Sequence, residues 1–330
     1  MTGKPAFLAR FKPDWYLILI IAMGALASVL PARGEVADAL GWVTKVAIGV
    51  VFFLHGARLS REAVFRGLVH WRLHLVILGA TFALFPLLTV GLAALPAWIT
   101  PPELATGLIL VGCLPSTIQS SIAFVSVARG NVPAAVAAAS GSNILGVFLT
   151  PVLVGLLLHA EGSMSPSAIW SIILQLLVPF VAGQVLRRWI GDWVARNAKI
   201  LGKLDRGTIL LVVYVAFSEA VVQGVWSRLG ALDLLRLLIL CALLLAAVLG
   251  LTVLASRLCG FSKEDEIAVV FCGSKKSLAS GAPMAAALFT PAVAGVAMIP
   301  LMIFHQMQLM ACAAIAQRYA ERPDTADESR

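Results

Sequence analysis

Apolar residues run along this chain in long blocks separated by short polar connections, without the two-residue alternation of a half-buried strand. The blocks fall at roughly 15–31, 40–57, 73–95, 104–127, 132–158, 168–186, 208–226, 234–256, 266–289 and 292–316. Each is close to the ~20 residues that a helix needs to cross ~30 Å of hydrocarbon. Runs such as Leu237 to Leu254 can satisfy their backbone in lipid only as helices, and the short alternating segments of a membrane barrel are missing. The pattern predicts an all-α membrane protein with ten transmembrane helices.

Composition removes the soluble alternative: 60% of residues are hydrophobic, 13% are charged and the mean hydropathy is +0.94. The formal charge of +8 is an orientation signal. Assigned to alternating sides, Lys4, Arg10, Lys12, the Arg58–Arg72 group, Arg129, the Arg187–Arg206 group, Arg257, Lys263, Arg318, Arg322 and Arg330 share one face. Arg33, Arg228 and Arg236 occupy the other. The positive-inside rule then places both termini in the cytoplasm of a bacterial inner membrane, and agrees with an even number of spans. A nucleic-acid partner would need these charges gathered on one soluble module, which the pattern does not contain. Residues 1–14 read as a cytoplasmic N-terminus and the first block as a retained span, since Leu30-Pro31-Ala32-Arg33 is a poor cleavage site. Residues 318–330 read as a disordered cytoplasmic tail. The five cysteines lack paired spacing and read as small buried hydrophobes, with no metal or cofactor implied.

Ten spans divide into two five-helix repeats, residues 15–158 and 159–317, and an odd number per repeat makes them inverted in the membrane. The fourth span of each contains a small, polar interruption after a cysteine: Cys113-Leu114-Pro115-Ser116-Thr117-Ile118-Gln119-Ser120-Ser121 and Cys272-Gly273-Ser274-Lys275-Lys276-Ser277-Leu278-Ala279-Ser280-Gly281. Proline removes a helix donor while glycine and serine tolerate opening, so both segments are expected to be broken helices that cross and present backbone groups to a solute. Small residues at such places also serve helix packing alone. Paired lysines at mid-membrane depth favour function, because a charge there costs ~2.5–3.5 kcal/mol even on the lenient insertion scale.

With Ala128-Arg129-Gly130-Asn131 and Thr150-Pro151, these segments resemble the bile acid:sodium symporter family. The string Phe271 to Gly281 with Pro283-Met284 is similar to the bacterial branch related to human solute carrier family ten, member seven. The resemblance implies ten spans in a panel and a core domain, with alternating access to a small organic anion such as a bile acid, another steroid-like molecule or a carboxylated solute. It also implies where this chain departs. Pro115 and Ser120 match the sodium-dependent members, whereas Ser116, Thr117 and Ser121 replace two glycines and an asparagine. Ala135 and Ala139 fall near the fifth-span hydroxyl positions, with Ser140, Ser142 and Asn143 nearby. Cys272 stands for the anionic ligand, and Lys275 and Lys276 for a Met-Gln pair. Sodium or a proton remains the possible coupling ion.

Lysine can occupy a vacated cation site as a built-in charge, so Lys275 or Lys276 is expected to hold the solute's anionic group or to cycle a proton. Gln119, Ser120, Ser121, Ser140, Asn143, Ser274, Ser277 and Ser280 supply polar groups around them. Glu219, inside the seventh span, is a buried carboxylate suited to be counter-charge or proton carrier, or else a structural ion pair or a glutamate facing a water-filled crevice near the helix end. Lys45 and His55 are expected to reach an interface, and His305, Gln306 and Gln308 form a polar stripe in the last span. Two other classes remain: a non-transporting membrane regulator or scaffold, and an intramembrane enzyme using Ser274 or Ser277 with an adjacent lysine. The partners expected are the solute and the lipid bilayer, with no obligate protein partner.

Overall fold

The computed structural model describes residues 15–58, 70–159, 166–224 and 229–322, and among them it is helical throughout with no strand. The N-terminal residues 1–14, Arg61, Arg66, Arg228 and the end of the tail from Pro323 lie outside the described residues. The chain forms α1 (Trp15–Val29), α2 (Gly34–Arg58), α3 (Trp71–Ala93), α4 (Pro102–Cys113), α5 (Gln119–Val127) and α6 (Val132–His159). It continues as α7 (Pro166–Arg196), α8 (Ala198–Val222), α9 (Ala231–Leu258), α10 (Lys263–Gly273), α11 (Leu278–Leu288) and α12 (Pro291–Ala320). By length and composition 5 of these, α2, α3, α6, α9 and α12, suffice to cross a membrane, with shorter apolar stretches in α1 and α4.

Burial separates an inner polar seam from a greasy outside. Leu238, Leu243 and Leu254 on α9 and Val178, Val181 and Val185 on α7 are exposed. Such surfaces are costly in water and neutral in lipid. Trp15, Trp71, Trp98, Trp189 and Trp193 are exposed near helix ends, as expected where indoles sit at a membrane interface. The main core cluster joins α4, α8, α9, α11 and α12, and a second joins α5, α6, α10 and α12.

Arg257, Lys263, Arg129 and Arg322, at helix ends, are tied together by acidic residues and main-chain carbonyls. Glu266 accepts from Lys263 at 2.6 Å and from Arg257 at 3.4 Å, and Tyr319 donates to it at 2.9 Å. Arg322 donates to Ala128 O, Arg129 O and Glu264. Ordered structure therefore reaches into the stretch expected as a disordered tail: α12 runs to Ala320 and Arg322 is pinned beyond it. The turn between α5 and α6 closes with Arg129 left-handed (φ 57°) and Gly130 N–H on Val125 O, where a Cβ on Gly130 would strike Ile267. Helix α7 also outruns its expected end at 186 and reaches Arg196, its polar last turns carrying the exposed Trp189 under the Arg188 guanidinium at 3.6 Å. Only Asn197 separates it from α8.

Helices α2 and α7 cross at backbone contact. A Cβ on Gly56 would meet Phe180 O, and one on Gly183 would meet Phe53 O. A larger residue at Gly183 must push two backbones apart, which overpacking data put at about 3 kcal/mol. Gly183→Leu should therefore lower the melting temperature in detergent clearly, whereas Gly250→Leu, where nothing lies within 4 Å of the added Cβ, should leave it unchanged.

Candidate functional site

The two sequence interruptions are two helix breaks. Helix α4 stops because Pro115 has no N–H to continue it and forces Leu114 into extended backbone (φ −73°, ψ 153°). Helix α10 stops at Gly273, and α11 restarts with Ser277 as N-cap, its hydroxyl accepting from Ser280 N–H at 3.1 Å. The breaks meet directly: Ser277 N–H donates to Pro115 O at 3.0 Å.

Further polar groups sew the crossing together. Ser116 Oγ donates to Cys272 O at 2.6 Å, and Ser121 Oγ donates to Phe271 O at 3.0 Å. Ser120 Oγ donates to Thr117 Oγ1, so Thr117 must donate in turn to Ser121, giving one directed chain of hydroxyls. From α6, Ser142 Oγ accepts Ser116 N–H, Asn143 donates to Ser116 O at 2.7 Å, and Thr150 donates to Cys113 O at 2.7 Å. Asn143 Oδ1 also accepts from Ser280 Oγ at 2.9 Å, so one amide bridges both broken helices.

Lys276 is the centre of this arrangement. It is fully buried, and its Nζ donates to Thr81 O at 2.8 Å, Gly112 O at 2.7 Å and Leu114 O at 2.7 Å. Gly112 and Leu114 sit at the C-terminal end of α4, where carbonyls have no helical partner and the dipole is negative. Thr81 lies in a π-helical turn of α3, Ala80–Leu84, where Phe85 N–H goes to Ala80 O. The next candidate donor for Thr81 O is residue 86, a proline, so this carbonyl too is free. The Phe85 ring lies 4.1 Å from the ammonium. On the main chain, Gln308 brackets Lys276, accepting from its N–H at 2.8 Å and donating to its O at 2.7 Å, with His305 Nδ1 3.1 Å from the same oxygen.

The other residues singled out from sequence are dispersed. Lys275 is fully buried, its Nζ has no hydrogen-bond partner, and it lies 3.8 Å from the Phe124 ring centroid and 5.9 Å from that of Phe271. Ser274 spends its hydroxyl on Val270 O within its own helix. Gln119 is exposed at the start of α5, and Ser140 is half-buried three residues before Asn143. Neither lysine amine is bonded to Ser274 or Ser277, so the serine–lysine pair that an enzyme needs is not assembled. At the crossing, the free carbonyls are taken by the Lys276 amine, the hydroxyls of Ser116 and Ser121 are turned toward protein oxygens, and Cys272 brings no carboxylate.

Glu219 belongs elsewhere. It lines a cavity of about 570 Å³ between α2, α8, α11 and the start of α12, together with Asp38, Lys45, Thr44 and Ser218. Gln223 donates to its carboxylate at 2.8 Å. Ser218 is buried there, with a hydroxyl that has no partner. Helix α11 joins the two places, running from the crossing at Ser277 to the cavity wall at Leu288, about 15 Å by helical rise.

Two broken helices that meet near the centre of a helical membrane protein are a recurring feature of secondary transporters. The chain belongs to the SBF-like CPA transporter family, whose model matches residues 14–321. It is 57% identical to the Pseudomonas aeruginosa protein PA2026 over 321 residues, covering 96% of each chain. It is 49% identical to YfeH of Escherichia coli, named as a candidate symporter, over 316 residues and 94% of each. With sodium/bile acid cotransporter 7 of Rattus norvegicus it shares 29% identity over 92% of this chain and 91% of that one.

Thr81, Pro86 and Ser218 escaped the sequence reading. The one available signal was the proline inside the third span, which must free a carbonyl one turn earlier. Asn143→Leu should loosen the joint between the two breaks, lowering the melting temperature by the equivalent of about 1–3 kcal/mol as Ser116 O and Ser280 Oγ lose their shared partner. Ser140→Ala, on the same helix, should be silent in the same thermal melt.

Proposed function

We propose that this protein is a secondary active transporter that moves a small organic anion across a bacterial inner membrane by alternating access. In this reading ten spans form two inverted five-helix repeats, 15–158 and 159–317, with both termini cytoplasmic. The observation that carries it is the meeting of the two breaks at Ser277 N–H and Pro115 O, because opposed broken helices around one point are the architecture by which repeats rock against each other. The name of the rat relative, a sodium/bile acid cotransporter, supports the solute class, and that of YfeH supports symport.

The solute occupies the cavity beside α11. Lys45 supplies the cation for a carboxylate or sulfonate, Ser218 supplies the unpaired hydroxyl, and the apolar walls Val212, Val215, Ala286 and Leu288 take a hydrocarbon body. Asp38 and Glu219 line the same cavity, so the anion enters with a coupling cation that offsets them; the amine of Lys276 on the central carbonyls favours a proton over sodium in that role. Of the two central lysines, Lys275 has donors left for a solute passing the crossing in another conformation.

Purified protein in liposomes, offered labelled bile acids and other carboxylated and sulfonated amphiphiles under separate sodium and proton gradients, tests this. Saturable uptake that persists without sodium is expected. Lys45→Gln should raise KM about tenfold with kcat little changed, as expected for loss of one charge-assisted contact. Absence of both binding and uptake for every anion tried would remove the transport reading in favour of a membrane scaffold.

A further inference from the structure

Lys276 ends in a cage of three carbonyl oxygens, the partial shell of a monovalent-cation site with its cation covalently attached. Three carbonyl oxygens converge from α3, from the end of α4 and from its break, each 2.7–2.8 Å from one nitrogen. None of the three has a competing helical donor, for reasons written in the backbone: the π turn with Pro86 beyond it, and the helix end before Pro115. An aromatic face at 4.1 Å closes the site. Three acceptors require three N–H bonds, and a neutral amine has two. The group that satisfies the cage is therefore an ammonium.

We infer that Lys276 acts as a tethered cation: its ammonium permanently fills a carbonyl cage that would otherwise take a free potassium- or alkylammonium-sized ion. It thereby joins the α4–α5 break, the α10–α11 break and the π turn of α3 without any ion from solution. Three contacts at 2.7–2.8 Å match the three N–H bonds of an ammonium; the distance also suits potassium and is longer than sodium prefers, and no carboxylate takes part. The inference is independent of which solute is carried, because occupancy of the cage is read from stability and not from uptake.

The experiment removes the tether and leaves the cage. In detergent at constant ionic strength, the melting temperature of the wild type should be indifferent to exchange of sodium for potassium or choline. Lys276→Ala should melt roughly 10 °C lower, as expected when buried acceptors lose a charged donor. Propylammonium, which restores the missing chain and charge, should recover most of the loss saturably, with methylammonium and potassium recovering part of it. Propanol, which fills the same space without charge, and choline, which has no N–H and is too bulky, should recover none. Lys276→Met keeps the volume and should melt low without responding to any amine. If Lys276→Ala yields no folded protein, extraction in propylammonium provides the same reading through the yield of monodisperse protein.

Four results overturn the inference: wild type stabilised specifically by sodium; Lys276→Met as stable as wild type; recovery of Lys276→Ala by propanol equal to that by propylammonium; or no folded Lys276→Ala in any added cation.

Discussion

A helix opened inside a bilayer strands backbone N–H and C=O groups where no water can reach them, and each stranded group costs several kcal/mol. This protein opens two helices at one point and bends a third into a π turn beside them. The rest of the interior is arranged around satisfying what those openings free. Serine and asparagine side chains take the stranded groups in turn, Gln308 replaces helix partners for the backbone of Lys276, and the Lys276 ammonium takes three carbonyls at once. A lysine that looks prohibitive on a hydropathy scale is, in this setting, the least costly available donor set.

That solution has a mechanical consequence. The Lys276 side chain holds both breaks and α3 in one block, while the cavity with Asp38, Lys45 and Glu219 lies where α11 and α12 meet α2 and α8. Because α11 begins in the crossing and ends in the cavity wall, tilting of the crossing displaces the cavity lining directly. The central polar groups are almost wholly turned inward to the protein, whereas Ser218, beside the cavity, has a hydroxyl without a partner.

The sequence made the helices and both breaks legible because lipid enforces a single rule, long apolar helices, and because Pro115, Gly273 and the serines violate it locally. It also marked Asn143, Ser121, Ser277, Ser280 and Lys276 as members of the centre. It could not say which oxygen each donor would meet, since periodicity fixes the face of a helix and not its register against a neighbour. Hence the sequence left Glu219 open between a partner of the central lysines and a glutamate facing a crevice, and it lies along the wall of a separate cavity; Lys275 and Lys276, both buried against phenylalanine rings, differ in that only Lys276 has hydrogen-bond partners for its amine. Successive helix positions already point about 100° apart, and here the chain between them has left the helix. Thr81 was missed for a different reason: its role depends on a main-chain carbonyl, for which Pro86 is the single indirect signal in the sequence.

The central claim, that a charged Lys276 is the fixed cation of the crossing, is tested most directly by nitrogen-15 NMR of lysine-labelled protein in nanodiscs, with the Lys276 signal assigned by its loss in Lys276→Arg. The account predicts an ammonium signal with slowly exchanging protons, identical in sodium and in sodium-free buffer. A neutral amine signal, or an ammonium signal that moves when sodium is added, would contradict it.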